Sequence, residues 1–152
     1  MSITFRALTR DDEAVLQAVA PDVFDKAVSS VLASEFLRDP RHHITVAIDD
    51  GIVIGFASAV HYVHPDKPPE LWINEVGVAE SHRRQGVARQ LLRLLFDLAR
   101  SLGCLHAWVL TDRGNSSAVK LYSSLPGVAS PRESLMFEFD LDAADDPAQV
   151  CP

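Results

Sequence analysis

The stretch Asn74-Glu75-Val76-Gly77-Val78-Ala79-Glu80-Ser81-His82-Arg83-Arg84-Gln85-Gly86-Val87-Ala88 decides how this chain folds. Its opening residues continue the apolar run Leu71-Trp72-Ile73, and residues 71–78 read as a strand, apolar enough to be central. Its closing residues begin a helical repeat. Apolar side chains at Val87, Leu91, Leu92, Leu95, Leu98 and Ala99 predict a helix over residues 85–102, closed by Gly103. Between the two lies Arg83-x-x-Gly86-x-Ala88. A strand that enters a long helix through a short loop presents first-turn amides with no internal partner and the positive end of the helix dipole. That end can bind an anion. Small residues at Gly86 and Ala88 let a phosphate approach the backbone, while Arg83 and Arg84 add positive charge. The loop therefore suits a pyrophosphate held mainly by main chain. A strand–turn–helix whose glycine only relieves crowding satisfies the same spacing.

Outward from this core, residues 3–7 alternate as a short strand. Thr9 is placed to cap a helix that runs to Ala20 and stops at Pro21, with Asp11, Asp12 and Glu13 in its first turn. A second helical stretch covers residues 22–38, with a break near Ser34, and Asp39-Pro40 ends it. Residues 43–49 and 52–64 read as strands joined by a hairpin turn at Asp49-Asp50-Gly51. His64-Pro65-Asp66-Lys67-Pro68-Pro69 is a turn-rich loop. Residues 105–110 form a strand, residues 116–124 a short helix, and residues 134–140 (Ser-Leu-Met-Phe-Glu-Phe-Asp) a final strand. The order β-α-α-β-β-β-α-β-α-β predicts a three-layer α/β fold, a mixed central sheet with helices on both faces. One domain is expected over residues 1–141. Residues 142–152 are acidic and poor in large apolar side chains, so a disordered tail is expected there.

Composition narrows the function. A chain of 152 residues fits one domain and buries a core without staples. A net charge of −7 argues against a nucleic-acid partner, which wants a basic face. It suits a cationic substrate, and an acidic surface also aids solubility. No apolar run approaches the roughly 20 residues of a membrane span. The start of the chain has no apolar signal core. Two cysteines, Cys104 and Cys151, make no disulfide framework, so a reducing cytoplasm is expected. The six histidines fit no standard zinc spacing. No Gly-x-Gly-x-x-Gly or Gly-Lys-Ser/Thr motif supports a different nucleotide.

The segment Arg83-Arg84-Gln85-Gly86-Val87-Ala88 resembles the pyrophosphate signature of the GNAT family of acyl-CoA-dependent N-acetyltransferases. Glu75-Val76-Gly77-Val78 resembles the preceding strand of that family, which ends in a bulge. Asn115, Ala118 and Leu121-Tyr122 resemble its second cofactor motif, and the element order is the family's. The resemblance covers residues 3–140. Within the family it is nearest to the class I aminoglycoside 3-N-acetyltransferases, through Glu70 to Val78, His82 to Gly86 and Leu135 to Asp140. Two stretches depart from that group. The loop at residues 111–117 is less acidic, and Leu125-Pro126-Gly127-Val128 replaces a glycine–aromatic step.

The resemblance implies acetyl-CoA as cofactor and assigns roles. Glu75 is the candidate base, or else binds a cationic substrate without moving a proton. Tyr122 is the candidate acid for the leaving thiolate, or an aromatic packed on the sheet. The backbone of Val76, Gly77 and Val78 would pair with the pantetheine arm like an added strand. Arg83, Arg84, Gln85, Gly86, Val87 and Ala88 would hold the pyrophosphate. Asn115 would meet the cofactor, cap the helix that follows, or do both. Trp72 lines the acceptor cleft or packs against the first helices, and Asp112 is a candidate contact for the amine. His61 and His64 lie beside the expected substrate loop. The leading reading is an acetyltransferase acting on a small cationic amine, possibly an aminoglycoside, which would make it an antibiotic-resistance enzyme. Acetylation of a protein N-terminus or lysine is the second. A non-catalytic acyl-CoA sensor would be expected to lack Glu75 or Tyr122, and both are present. A homodimer rests on the resemblance alone, since no apolar stripe in the sequence argues for it.

Overall fold

The computed structural model of the chain describes residues 2–142. Strands β1 (Thr4–Ala7), β2 (His42–Asp49), β3 (Ile52–Tyr62), β4 (Glu70–Val78) and β5 (His106–Val109) form one sheet in the order β1-β2-β3-β4-β5. The first four are antiparallel neighbours, and β5 runs parallel to β4. The helices are α1 (Ser30–Arg38), α2 (Val87–Ser101) and α3 (Ser116–Ser123). Alternation along β2 shows how the layers form. Thr45 points to α2 and donates its hydroxyl to the Leu91 carbonyl at 3.0 Å, which satisfies a fully buried polar group. Its neighbour Ile44 points the other way, into a hollow shared with Phe36 of α1. The mixed sheet thus has α2 on one face and α1 on the other, the three-layer α/β architecture expected.

The α2 repeat behaves as its spacing dictates. Val87, Leu91, Leu92, Leu95 and Ala99 are buried against the sheet. Each fully buried leucine contributes roughly 1.5–3 kcal/mol by burial.

Three expectations are corrected. Residues 9–20 do not form an α-helix capped by Thr9; only a 3-10 turn, Glu13–Gln17, is present. Asp12 competes with that helix. Its carboxylate accepts from the Thr9 amide at 2.7 Å and from Arg6 at 2.9 Å, which holds the entry as a turn. The chain beyond then pairs with β3, with the Val53 amide on the Ala18 carbonyl and the Ala20 amide on the Val53 carbonyl. The second helix starts only at Ser30, capped by the Ser29 hydroxyl, and residues 22–29 are irregular. Ser34, the expected break, lies inside α1 and donates to Glu13 at 2.7 Å. Finally, residues 134–140 are not a strand. They run without a ladder partner, exposed throughout. The pattern is a strand's, but a strand needs a neighbour to cover its apolar face, and it has none among the described residues. The acidic tail expected over residues 142–152 lies, beyond residue 142, outside the described residues.

Register matters most at one point. Trp72 pairs with Val60 and Ile73 with Ala59, but Glu75 pairs with Ser58, so Asn74 is an extra residue on β4. A one-residue slip flips the faces of everything beyond it. Leu71 and Ile73 are buried on the α2 side. Without the bulge Glu75 would follow them. With it, Glu75 joins Ser58 on the α1 side.

Candidate active site

β5 leaves β4 early. Their pairing ends at Ile73 and Val109, whereas β4 continues to Val78. The edge of β4 from Asn74 onward therefore faces open space on the side away from β3. A cleft of about 600 Å³ occupies that opening, and Glu75, Val76, Gly77, Val78, Arg83, Ala88, Asn115 and Tyr122 line it. These residues lie up to 47 positions apart in sequence and meet because β4, α2 and α3 converge at the divergence of the strands.

The loop between β4 and α2 is held from several sides. The Ala79 amide donates to the Ile54 carbonyl at 2.8 Å, and the Glu80 amide to the Asp22 carboxylate at 2.7 Å. His82 bridges Ser81 Oγ at 2.8 Å and Asp49 Oδ2 at 3.0 Å. Arg83 Nε donates to the Val78 carbonyl at 3.1 Å, and the Gln85 side-chain amide to the Ser81 carbonyl at 3.2 Å. Arg84 stands exposed with φ +60°. Gly86 is the N-cap of α2 at φ +77°, a conformation glycine adopts without steric cost. No side chain caps this helix, so its first amides have no acceptor in the protein fold. Val87 turns its side chain into the core, leaving only its backbone for the loop.

Gly77 has a different task. A Cβ there would lie 2.4 Å from the Val23 carbonyl and 2.8 Å from the Phe56 ring. The Val23 loop packs directly on β4, and only glycine permits it.

Tyr122 reaches the cleft from α3. Asn115 caps α3, its Oδ1 accepting from the Ala118 amide at 3.1 Å. Arg89 of α2 donates to the Ser124 carbonyl and hydroxyl at 3.1 and 2.8 Å, which fixes α3 against α2. Burial pushes the Tyr122 phenol above its ordinary pKa, so it stays protonated and can donate.

A second hollow of about 430 Å³ lies between α1, the 24–29 segment and the sheet. Phe24, Phe36, Ile44 and Phe56 make it apolar, and Phe24 stacks on Phe56 at 4.0 Å. Asp25, Phe56 and Glu75 line both hollows. Both carboxylates are on exposed residues.

Other candidates lie elsewhere. Trp72 stacks on Trp108 at 5.0 Å and on Tyr62 at 6.0 Å, and lines neither hollow. Asp112 lines neither; its carbonyl accepts from the Asn115 amide at 2.9 Å. His61 pairs with His43 at 2.7 Å, and His64 lies 3.8 Å from Glu70. The sequence reading missed Asp22, Asp25, Phe24 and Phe56. The two acids after Pro21 were a signal, hidden by assigning the segment to a helix.

The residues present fit a coenzyme A thioester. The uncapped α2 end and Arg83 suit the pyrophosphate, and the free β4 edge suits an extended amide-bearing arm. The N-alpha-acetyltransferase RimI of Mycobacterium tuberculosis is 30% identical over 125 residues, 81% of this chain and 77% of that protein. Streptothricin acetyltransferase of Streptomyces lavendulae is 32% identical over 84 residues, 55% of this chain and 42% of that protein. The aminoglycoside acetyltransferase meta-AAC0020 from an uncultured soil metagenomic sample, in complex with sisomicin, shares the fold with a TM-score of 0.81 at 16% identity, over 91% of this chain and 96% of that one. Aminoglycoside N-acetyltransferase AAC(6')-Iy with CoA has a TM-score of 0.73 at 20% identity, over 91% of this chain and 95% of that one. No helix among the described residues is long and apolar enough to cross a membrane. The profile of the Acetyltransferase (GNAT) family matches residues 6–125, and the chain belongs to that family: it is an acyltransferase, and its cofactor is acetyl-CoA.

Proposed function

We propose that this acetyltransferase acts in the cytoplasm on a primary amine of a small cationic molecule, with an aminoglycoside, at its 3-N position, as the first candidate. One observation carries the reading. Glu75 and Asp25 stand on the wall shared by the cofactor cleft and the second hollow. An ammonium group held in that hollow meets two carboxylates beside the place where the acetyl group arrives. The hollow's aromatic walls suit the body of a ring-bearing amine and add cation–π attraction.

Acetyl-CoA, when bound, supplies an activated acyl group. The amides along residues 76–78 align its pantetheine arm, and the Val78 N–H polarises the acyl carbonyl. The backbone of residues 83–88 holds its pyrophosphate. Glu75 takes the proton from the ammonium nitrogen, directly or through a water, since only the neutral amine attacks. Tyr122 hands its phenolic proton to the departing sulfur. Asp25 anchors a second positive charge of a polyamine.

A second reading, acetylation of a protein N-terminus, is favoured by the similarity to the RimI protein. A screen of acetyl-CoA consumption across aminoglycosides, polyamines, amino acids and N-terminal peptides separates the two. Turnover with aminoglycosides or polyamines supports the first. Turnover confined to peptides replaces it by the second. No consumption with any amine, together with no thermal shift on adding CoA, defeats both.

A further inference from the structure

The loop between β4 and α2 holds a conformation that its own sequence does not favour. Arg84 has φ +60° and Gly86 φ +77°. Glycine takes that region freely, whereas an arginine there is strained and persists only where its surroundings fix it. The amides that follow are the uncapped ones of α2, so their direction depends on how firmly this loop is held. Arg83 and Gln85 fasten it through the Val78 and Ser81 carbonyls. Both of those bonds stay within residues 78–85 and tie the loop only to itself and the end of its own strand.

His82 reaches further. Its Nε2 lies 3.0 Å from Asp49 Oδ2, and its Nδ1 lies 2.8 Å from Ser81 Oγ. A carboxylate only accepts, so Nε2 donates to Asp49, and Nδ1 of the neutral ring accepts from the Ser81 hydroxyl. Both ring nitrogens are used, and the imidazole is fixed in orientation. Asp49 is the last residue of β2. The turn after it places Asp50 at φ +48° and Gly51 at φ +77°, the tight hairpin form that matches the twist of the strands. The post to which His82 is tied is therefore part of the sheet. Asp49 Oδ1 is buried without a partner among the described residues, so the carboxylate leans on His82. Neither His82 nor Asp49 lines the cofactor cleft. We propose, resting on the reading that residues 83–88 hold the pyrophosphate, that His82 is a positioning residue for the cofactor. Clamped between Ser81 and Asp49, it ties the loop to the β2–β3 hairpin and holds the first amides of α2 where the pyrophosphate meets them. The clamp serves that end of the cofactor and not the thioester, which reacts beside Glu75 and Tyr122.

Two acetyl donors separate positioning from general support. S-acetylpantetheine carries the thioester and the amide-bearing arm of acetyl-CoA without its pyrophosphate. His82→Ala should raise the KM for acetyl-CoA about tenfold with kcat held, and leave kcat/KM for S-acetylpantetheine at the wild-type value. Calorimetric titration with CoA should show the same tenfold loss. Asp49→Ala should reproduce it, and the His82→Ala/Asp49→Ala double variant should be no weaker than either single one, since both remove one interaction. An equal loss with the two donors overturns the inference, because a merely structural histidine supports the site for any thioester. An unchanged KM for acetyl-CoA, or losses that add in the double variant, overturn it as well. If His82→Ala fails to fold, His82→Phe, which keeps a ring and removes both nitrogens, carries the same comparison. Gly86→Val forces a side chain into the left-handed position of the loop itself and tests the underlying reading separately. A loss specific to acetyl-CoA in Gly86→Val but not in His82→Ala keeps the loop as the pyrophosphate site and removes the clamp. A loss specific to acetyl-CoA in neither variant removes both.

Discussion

Gly77→Ala tests the packing that joins the cofactor strand to the acceptor wall. The added methyl would lie 2.4 Å from the Val23 carbonyl oxygen and 2.8 Å from Phe56 Cε1. The carbonyl must retreat by about 1 Å to reach ordinary contact. It cannot do so freely. The Val23 amide is bound to the Ala20 carbonyl, and the Asp22 carboxylate to the Glu80 amide at 2.7 Å. A constrained overpacking of this kind costs about 2–3 kcal/mol. Replacing glycine by alanine in an extended segment returns about 0.5–1 kcal/mol of chain entropy. The net loss is about 2 kcal/mol, which for a chain of this size lowers the melting temperature by about 4–8 °C. Function should suffer further, because the displaced loop carries Phe24 and Asp25. A shift of about 1 Å at a positioning group lowers acceptor kcat/KM by about 10–100-fold. Differential scanning fluorimetry and steady-state acetyl transfer measure both effects, with Gly114→Ala, where a methyl meets nothing within 4 Å, as the control. A Gly77→Ala protein that melts with the control and keeps its acceptor kinetics refutes the reasoning.

Tyr122→Phe should lower turnover by about 10²–10³-fold and leave the KM for acetyl-CoA nearly unchanged. Burial raises the Tyr122 pKa, so wild-type turnover should hold until the pH passes the ordinary phenol value of about 10, and the variant should lack that alkaline fall. Equal turnover in the two proteins would remove Tyr122 as the acid. Glu75→Gln should lower turnover by about 10²-fold or more. A variant that keeps its turnover and loses only acceptor affinity leaves Glu75 as a binder of the cation. Burial, with His61 beside it, depresses His43 to about 4 from an unfolded value of 6.5. The folded state therefore prefers neutral His43, and the associated stability is present above pH 6.5 and lost as pH falls towards 4. Melting temperatures of His43→Asn should fall less steeply over that window than those of the wild type, and parallel curves would contradict this.

The regular elements were legible because each carries its own period. The α2 stripe from Val87 to Ala99 and the alternation of β2 and β3 specify both the element and its buried face. The anion end of α2 was legible for the same reason, since Gly86 and the arginines sit where strand period gives way to helix period. Residues 9–29 were not. Thr9 followed by three acids reads as a helix start, but Arg6, distant in neither sequence nor space, draws Asp12 into a turn. The pairing of residues 18–20 with Val53 is a long-range contact that no local signal announces. The final strand shows the opposite failure. The alternation over residues 134–140 predicts a strand that is not there, because a pattern states which face wants cover and not where the cover is found.

The places that matter for function share one physical origin: each is an interruption of the sheet's ladder. The extra residue Asn74 breaks register between β3 and β4 and turns Glu75 from the α2 core to the acceptor side. The early end of β5 breaks pairing with β4 and leaves the Asn74 to Val78 edge free for a ligand's amides. Among the described residues no strand pairs with the other side of β5, and a groove lies beside it. A ladder that continued unbroken would satisfy every backbone group within the chain and leave none to bind acetyl-CoA. The sheet can tolerate these gaps because α2 holds β1 through β4 together from one face. Tyr122 lines both the cofactor cleft and the groove beside β5. Set between the two, the phenol is desolvated, and the burial that raises its pKa keeps on it the proton it must donate.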